Sequence, residues 1–171
     1  MREKRFGYRS AAVSGPVFRK KGREARKVFL SYAHKHLKAA QRLKTALAVQ
    51  QNSGRIDFWY DQDIGPGALW QNEIETNLRA ADIIVLLLCP EFWASEFIWE
   101  HELPLIAERH EAGTPVLCVM LTDNDLMETQ WSALQAVPQR AGRLTPISRW
   151  PDKDEAWQAV AEALKKLIEA G

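Results

Sequence analysis

Cysteine is scarce: Cys89 and Cys118 are the only two in 171 residues. That is too few for a disulfide framework, and each sits in or at the end of an apolar run, where a free thiol packs as a small hydrophobe. Such usage fits a reducing compartment. No stretch reaches the about 18 consecutive apolar residues that a membrane-spanning helix needs. The N-terminal segment also lacks the roughly 7–15-residue apolar run of a secretory signal. A cytoplasmic protein without a membrane partner is expected. Charge of one sign is missing too: 23 Lys and Arg against 22 Asp and Glu leave a formal net charge of +1. Without an overall positive field, no nucleic-acid partner is expected. Walker loops, Gly-x-Gly-x-x-Gly fingerprints, Gly-x-Ser-x-Gly elbows and Cys-x-x-Cys pairs are all absent, which excludes the kinase-like, dehydrogenase, hydrolase and thiol-redox forms of chemistry they carry. An acidic pair after the opening strand, as in response receivers, is lacking as well. His34, His36, His101 and His110 show no metal-ligand spacing with the cysteines or with clustered acids, so no metal and no cofactor is expected.

What is present is unevenly distributed. Residues 1–27 hold ten Lys or Arg against Glu3 and Glu24, leaving thirteen basic against twenty acidic residues in the rest. The basic charge is concentrated in a leader, residues 1–26, whose composition reads as a solvated, disordered tail. Residues 27–171 have the length and the apolar content of one domain.

Within that domain apolar runs alternate with helical periodicity. Val28–Tyr32 and 55–60 read as strands, and the run from Ile83 to Cys89 shows no alternation, as a central strand buried on both faces should. A fourth strand is expected over 115–121 and a short edge strand over 144–147, with 122–138 polar and irregular. Helices are expected over 35–51, ended by Asn52-Ser53-Gly54, over 68–80, up to about Glu111, and from Asp152 to Ala170. Asp152 or Asp154 is placed to cap the last. Asp61-Gln62-Asp63-Ile64-Gly65-Pro66-Gly67 requires a tight irregular loop. Strands alternating with helices imply an α/β fold with a parallel sheet of four to five strands, helices on both faces, and ligands beyond the carboxyl ends of the strands.

Several of these segments together resemble the Toll/interleukin-1 receptor (TIR) domain family, in its bacterial form, from about Lys27 onward. Val28-Phe29-Leu30-Ser31-Tyr32 is similar to the family's first box. Phe58-Trp59-Tyr60-Asp61, then Asp63-Ile64, Gly65-Pro66-Gly67 and Trp70, resembles the second box and its BB loop, an arrangement much harder to match by chance. Ser95 through Leu103 resembles the segment that opens a helix with a serine, aromatic residues and an acidic residue. Trp150 to Trp157 resembles the approach to the last helix. The resemblance implies a flavodoxin-like three-layer sandwich.

In NAD-cleaving members the acidic residue of that helix-opening segment is the catalytic glutamate, which maps to Glu102, with Glu100 as runner-up because the family's spacing varies. Breaking the nicotinamide–ribose bond passes through an oxocarbenium-like state and releases a leaving group that needs no proton, so one carboxylate against the ribose suffices. From the residues alone, Glu102 reads first as a carboxylate serving a solvated helix start. Ser31, Tyr32 and Ala33 end the first strand, where a phosphate or ribose would lie, and Asp61, Ile64, Gly65 and Ser95 join them as substrate-binding candidates. Trp70, Trp93 and Trp99 offer faces for the nicotinamide or adenine ring. Some NAD-cleaving relatives have arginine where this chain has Ala33; Lys35, Arg55 or the leader's arginines are the candidate substitutes.

Two functions follow from the resemblance. One is an NAD glycohydrolase of bacterial immune signalling or antiviral defence, releasing nicotinamide and ADP-ribose or a cyclic isomer. The other is a non-catalytic module that transmits a signal by TIR–TIR contact. Both imply self-association.

Overall fold

Apolar runs become central strands where both of their faces can be covered. All six side chains of β3 (Ile83–Leu88) are buried. It pairs on one side with β1 (Arg26–Tyr32) and on the other with β4 (Val116–Met120). The computed structural model describes residues 24–61 and 70–171. Among them, β2 (Ile56–Trp59) and β5 (Gln135–Val137) complete a five-stranded sheet in the order β2-β1-β3-β4-β5, with every pairing parallel. β1 begins one residue before the boundary that composition suggests. Most of the basic leader and the loop containing Ile64 and Gly65 lie outside the described residues.

The helices are α1 (Leu37–Ala46), α2 (Ala48–Asn52), α3 (Trp70–Arg79), α4 (Pro90–Trp93), α5 (Leu103–Glu111) and α6 (Lys153–Ala170). α1 packs on α6 and α3 on α5. Because the chain moves one way across the sheet from β1 to β2 and the other way afterwards, right-handed crossovers set these two pairs on opposite faces. The result is the expected three-layer sandwich in the flavodoxin-like strand order.

Local chemistry accounts for most element ends. The single helix expected over 35–51 is broken at Leu47, whose backbone leaves helical geometry (φ −110°, ψ 18°), while its side chain is fully buried. Gly54 then turns the chain at φ +70°, a left-handed conformation that costs glycine no Cβ clash. At the start of α6, Asp152 accepts hydrogen bonds from the amides of Asp154 (2.8 Å) and Glu155 (3.4 Å), so Asp152 rather than Asp154 is the cap. At its other end the Arg26 guanidinium donates to the Leu167 carbonyl at 2.7 Å, joining the start of β1 to the last turn of α6.

One expected strand is misplaced. The parallel edge strand is Gln135–Val137, inside the segment read as irregular, and not 144–147. Leu144 pairs instead with Gln139 in a small antiparallel ribbon of β6 (Gln139–Arg140) and β7 (Arg143–Leu144), and Ile147 opens a 3₁₀ turn. An edge strand of three residues with only Val137 buried carries no apolar run by which to recognise it. No helix among the described residues is long and apolar enough to cross a membrane.

Candidate functional site

The strand order reverses between β1 and β3, so the segments leaving their carboxyl ends diverge and open a crevice. A cavity of about 250 Å³ lies there, floored by the end of β1 and walled by α3 and by the segment joining α4 to α5.

Glu102 reaches this cavity because of how the chain approaches α5. Pro104 has no N–H and its ring crowds the carbonyl four residues back, so a regular helix cannot run through it. The chain answers with one wide turn over Ile98–Glu102, closed by the Leu103 amide on the carbonyl of Ile98, five residues earlier. Ser95 supports the turn by accepting from the Ile98 amide at 3.3 Å. The turn leaves Glu100 and His101 exposed and Glu102 only 6% exposed.

The Glu102 carboxylate accepts a hydrogen bond from the Ser31 hydroxyl at the end of β1. Burial pushes its pKa from 4.5 up to about 7, against the pull of the Ser31 bond, and the negative charge of Asp61 adds to the rise. Asp61 is itself held from two sides: the Tyr32 hydroxyl donates to Oδ1, and His34 Nδ1 lies 3.1 Å from Oδ2. Two carboxyl groups therefore face one partly apolar cavity, an arrangement that favours a cationic guest.

Across the mouth, Lys35 places its ammonium 2.5 Å from Glu91 Oε1, and His36 Nε2 lies 3.3 Å from Glu91 Oε2. Hydrogen bonding from Lys35 is the main reason the Glu91 carboxyl is pulled down to about 2. One wall is aromatic: Trp70 packs against Phe97 with ring centroids 4.2 Å apart and lies nearly parallel to His34 at 6.2 Å.

Of the residues proposed from sequence, the cavity gathers Ser31, Tyr32, Ala33, Asp61, Trp70, Ser95 and Glu102, and Lys35 joins them. Glu100 instead lines a separate open groove with Arg79, His101 and Glu108. Trp93 and Trp99 are not among the lining residues: the Trp93 indole donates to Asn124 Oδ1 at 3.0 Å, and the Trp99 indole to the Trp93 carbonyl at 2.5 Å. Arg55 is no substitute for the missing arginine, since it precedes β2 and bonds through its carbonyl to Arg26 at the opposite, amino edge of the sheet. Sequence reading missed His34, Phe97 and Glu91. His34 carries a signal, lying two residues past the Ser-Tyr pair at the same strand end; Glu91 is brought in only by the pairing of β1 with β3.

Comparison with known proteins bears on the family and the fold. The sequence model described as the TIR domain matches residues 28–159. The uncharacterized protein y4lF of Sinorhizobium fredii (strain NBRC 101917 / NGR234) is 34% identical over 140 residues, which cover 81% of this chain and 42% of that protein. The chain thus spans less than half the length of this curated relative. The crystal structure of the RPS4 and RRS1 TIR domain heterodimer matches in fold with a TM-score of 0.57 at 15% identity, covering 85% of this chain and 99% of that one.

Proposed function

The chain belongs to the TIR domain family, and on that premise we propose that it is an NAD glycohydrolase whose catalytic carboxylate is Glu102. The observation that carries this reading is a buried glutamate facing a cavity at the strand-order reversal, hydrogen-bonded to Ser31 and matched by Asp61. NAD presents a cationic nicotinamide ring on a ribose. As its C–N bond breaks, the electron pair leaves with nicotinamide, which departs neutral, and positive charge passes to the ribose. Ionised Glu102 stabilises that charge. Water adds to the ribose carbon and loses a proton, giving ADP-ribose; attack by the adenine ring in place of water gives a cyclic isomer. Trp70 and Phe97 supply the face against which the nicotinamide lies, and Lys35 the positive charge nearest the phosphates.

The cavity is smaller than the roughly 300–1,000 Å³ of a typical ligand pocket, so it suits one end of a dinucleotide. The remaining walls come from a second copy of the chain, through TIR–TIR contact. The setting is signal transduction in the cytoplasm, as part of bacterial immunity.

Nicotinamide release from NAD by concentrated protein tests this. Glu102→Gln keeps the shape and removes the charge, and lowers the rate by at least about 100-fold, whereas Glu100→Gln leaves it within about threefold of wild type. Loss in Glu100→Gln alone would move the chemistry to that residue.

One observation favours a module that only binds partners: Ala33 stands where some NAD-cleaving relatives carry arginine, and Lys35, its nearest replacement, is already held by Glu91. Absence of nicotinamide release from wild type under conditions that promote assembly decides for that reading.

A further inference from the structure

Beside the cavity, which Glu91 lines, three side chains of different chemistry converge that the NAD reading does not use together. His36 comes from the turn after β1, and Cys89 and Glu91 from the junction of β3 with α4. Each offers one donor atom, and all three donors lie within 4.8 Å of one another. From this convergence we infer that His36, Cys89 and Glu91 form a binding site for a thiophilic divalent cation of the zinc class.

The geometry is close to what such an ion requires. Tetrahedral zinc, with bonds of about 2.0–2.3 Å, spaces its donors roughly 3.3–3.8 Å apart. His36 Nε2 and Glu91 Oε2 already stand 3.3 Å apart. Completing the set requires the Cys89 sulfur to approach by no more than about an ångström, within the reach of a χ1 adjustment. A thiolate, an imidazole and a carboxylate together select zinc or cobalt over magnesium or calcium, which prefer all-oxygen sites.

The surroundings fit as well. Glu91 divides its oxygens: Oε2 faces His36, while Oε1 is held by Lys35, so the ammonium orients the carboxylate without occupying the metal-facing oxygen. Such outer partners commonly fix a ligating carboxylate. Cys89 is fully buried beneath the pair; burial pushes its thiol up to about 11, a cost that the metal–sulfur bond has to offset as the thiol proton is displaced to solvent. Three protein donors leave the fourth position to water, the pattern of an open rather than a purely structural site. The spacing of the three in the sequence hides the site, because β1–β3 pairing brings together positions 55 apart.

Cobalt(II) is the probe, since a cobalt–thiolate bond absorbs in the near ultraviolet where the protein alone does not. The sequence contains two cysteines, so a thiolate band assigns to Cys89 or Cys118. The full chain titrated with cobalt at neutral pH is expected to develop this band at one equivalent, with zinc abolishing it by competition. Cys89→Ser is expected to remove the band, Cys118→Ala to keep it, and His36→Ala, at a half-buried position in the turn after β1, to weaken cobalt binding at least about tenfold. Thermal melts of each variant without metal separate loss of a ligand from loss of the fold. No band from wild type, or an undiminished band in folded Cys89→Ser, overturns the site. The readout needs no substrate, so it stands or fails independently of NAD cleavage.

Discussion

At the scale of single residues, Glu102 couples stability to pH through one proton. Its carboxyl ordinarily titrates at 4.5 and in the folded chain near 7, chiefly through burial. The native state therefore holds this proton more tightly than the unfolded chain does. The associated stability is complete below the lower value and is lost as pH rises toward the upper, by about 3 kcal/mol in all. Glu102→Gln, which cannot ionise, is expected to melt above wild type at pH 8 and close to it at pH 4, measured by thermal unfolding at both. The NAD reading needs the ionised form, so kcat/KM for nicotinamide release is expected to rise with pH through about 7. Asp61→Asn removes a neighbouring negative charge and is expected to shift that midpoint downward; an unchanged or higher midpoint would separate Asp61 from Glu102. The resemblance points to Glu102 and leaves Glu100 open; the wide turn before Pro104, which buries Glu102 and exposes Glu100, is not legible in two acids two positions apart. The clasp of Asp61 by Tyr32 and His34 was not legible, because it joins the ends of two strands across a gap in sequence.

At the scale of elements, what could be read from sequence followed burial. β3 was legible because all of its side chains are buried, and α6 because its apolar positions recur along one face behind an acidic cap. β5 was not, because an edge strand with one buried side chain leaves no pattern. The same contrast sets the cost of substitutions. Leu86→Ala in β3 removes a fully buried side chain and is expected to destabilise by roughly 2–5 kcal/mol in denaturant titration. Ala136→Gly in β5, half-exposed at the edge, is expected to cost no more than about 1 kcal/mol. Asp152→Ala frees two amides at the head of α6, with an expected loss of about 1 kcal/mol.

At the scale of the whole molecule, the NAD reading meets a cavity too small for a full dinucleotide and so places the proposed activity in an assembly. Specific activity, as nicotinamide released per mole of chain, is then expected to rise with protein concentration and to level off once association is complete; a constant value across the range would assign the site to a single chain. The tie between Arg26 and Leu167 spans 141 positions and carries a consequence for biosynthesis. Among the described elements β1 is made before the others, yet it belongs in the middle of the sheet, and the helix that covers α1 and receives Arg26 is made after them. At about 5–20 residues per second, roughly 7–30 s separate the two events. For that interval the nascent chain presents apolar surface that only α6 can cover, so its yield in the cell depends on what shields it until that helix emerges.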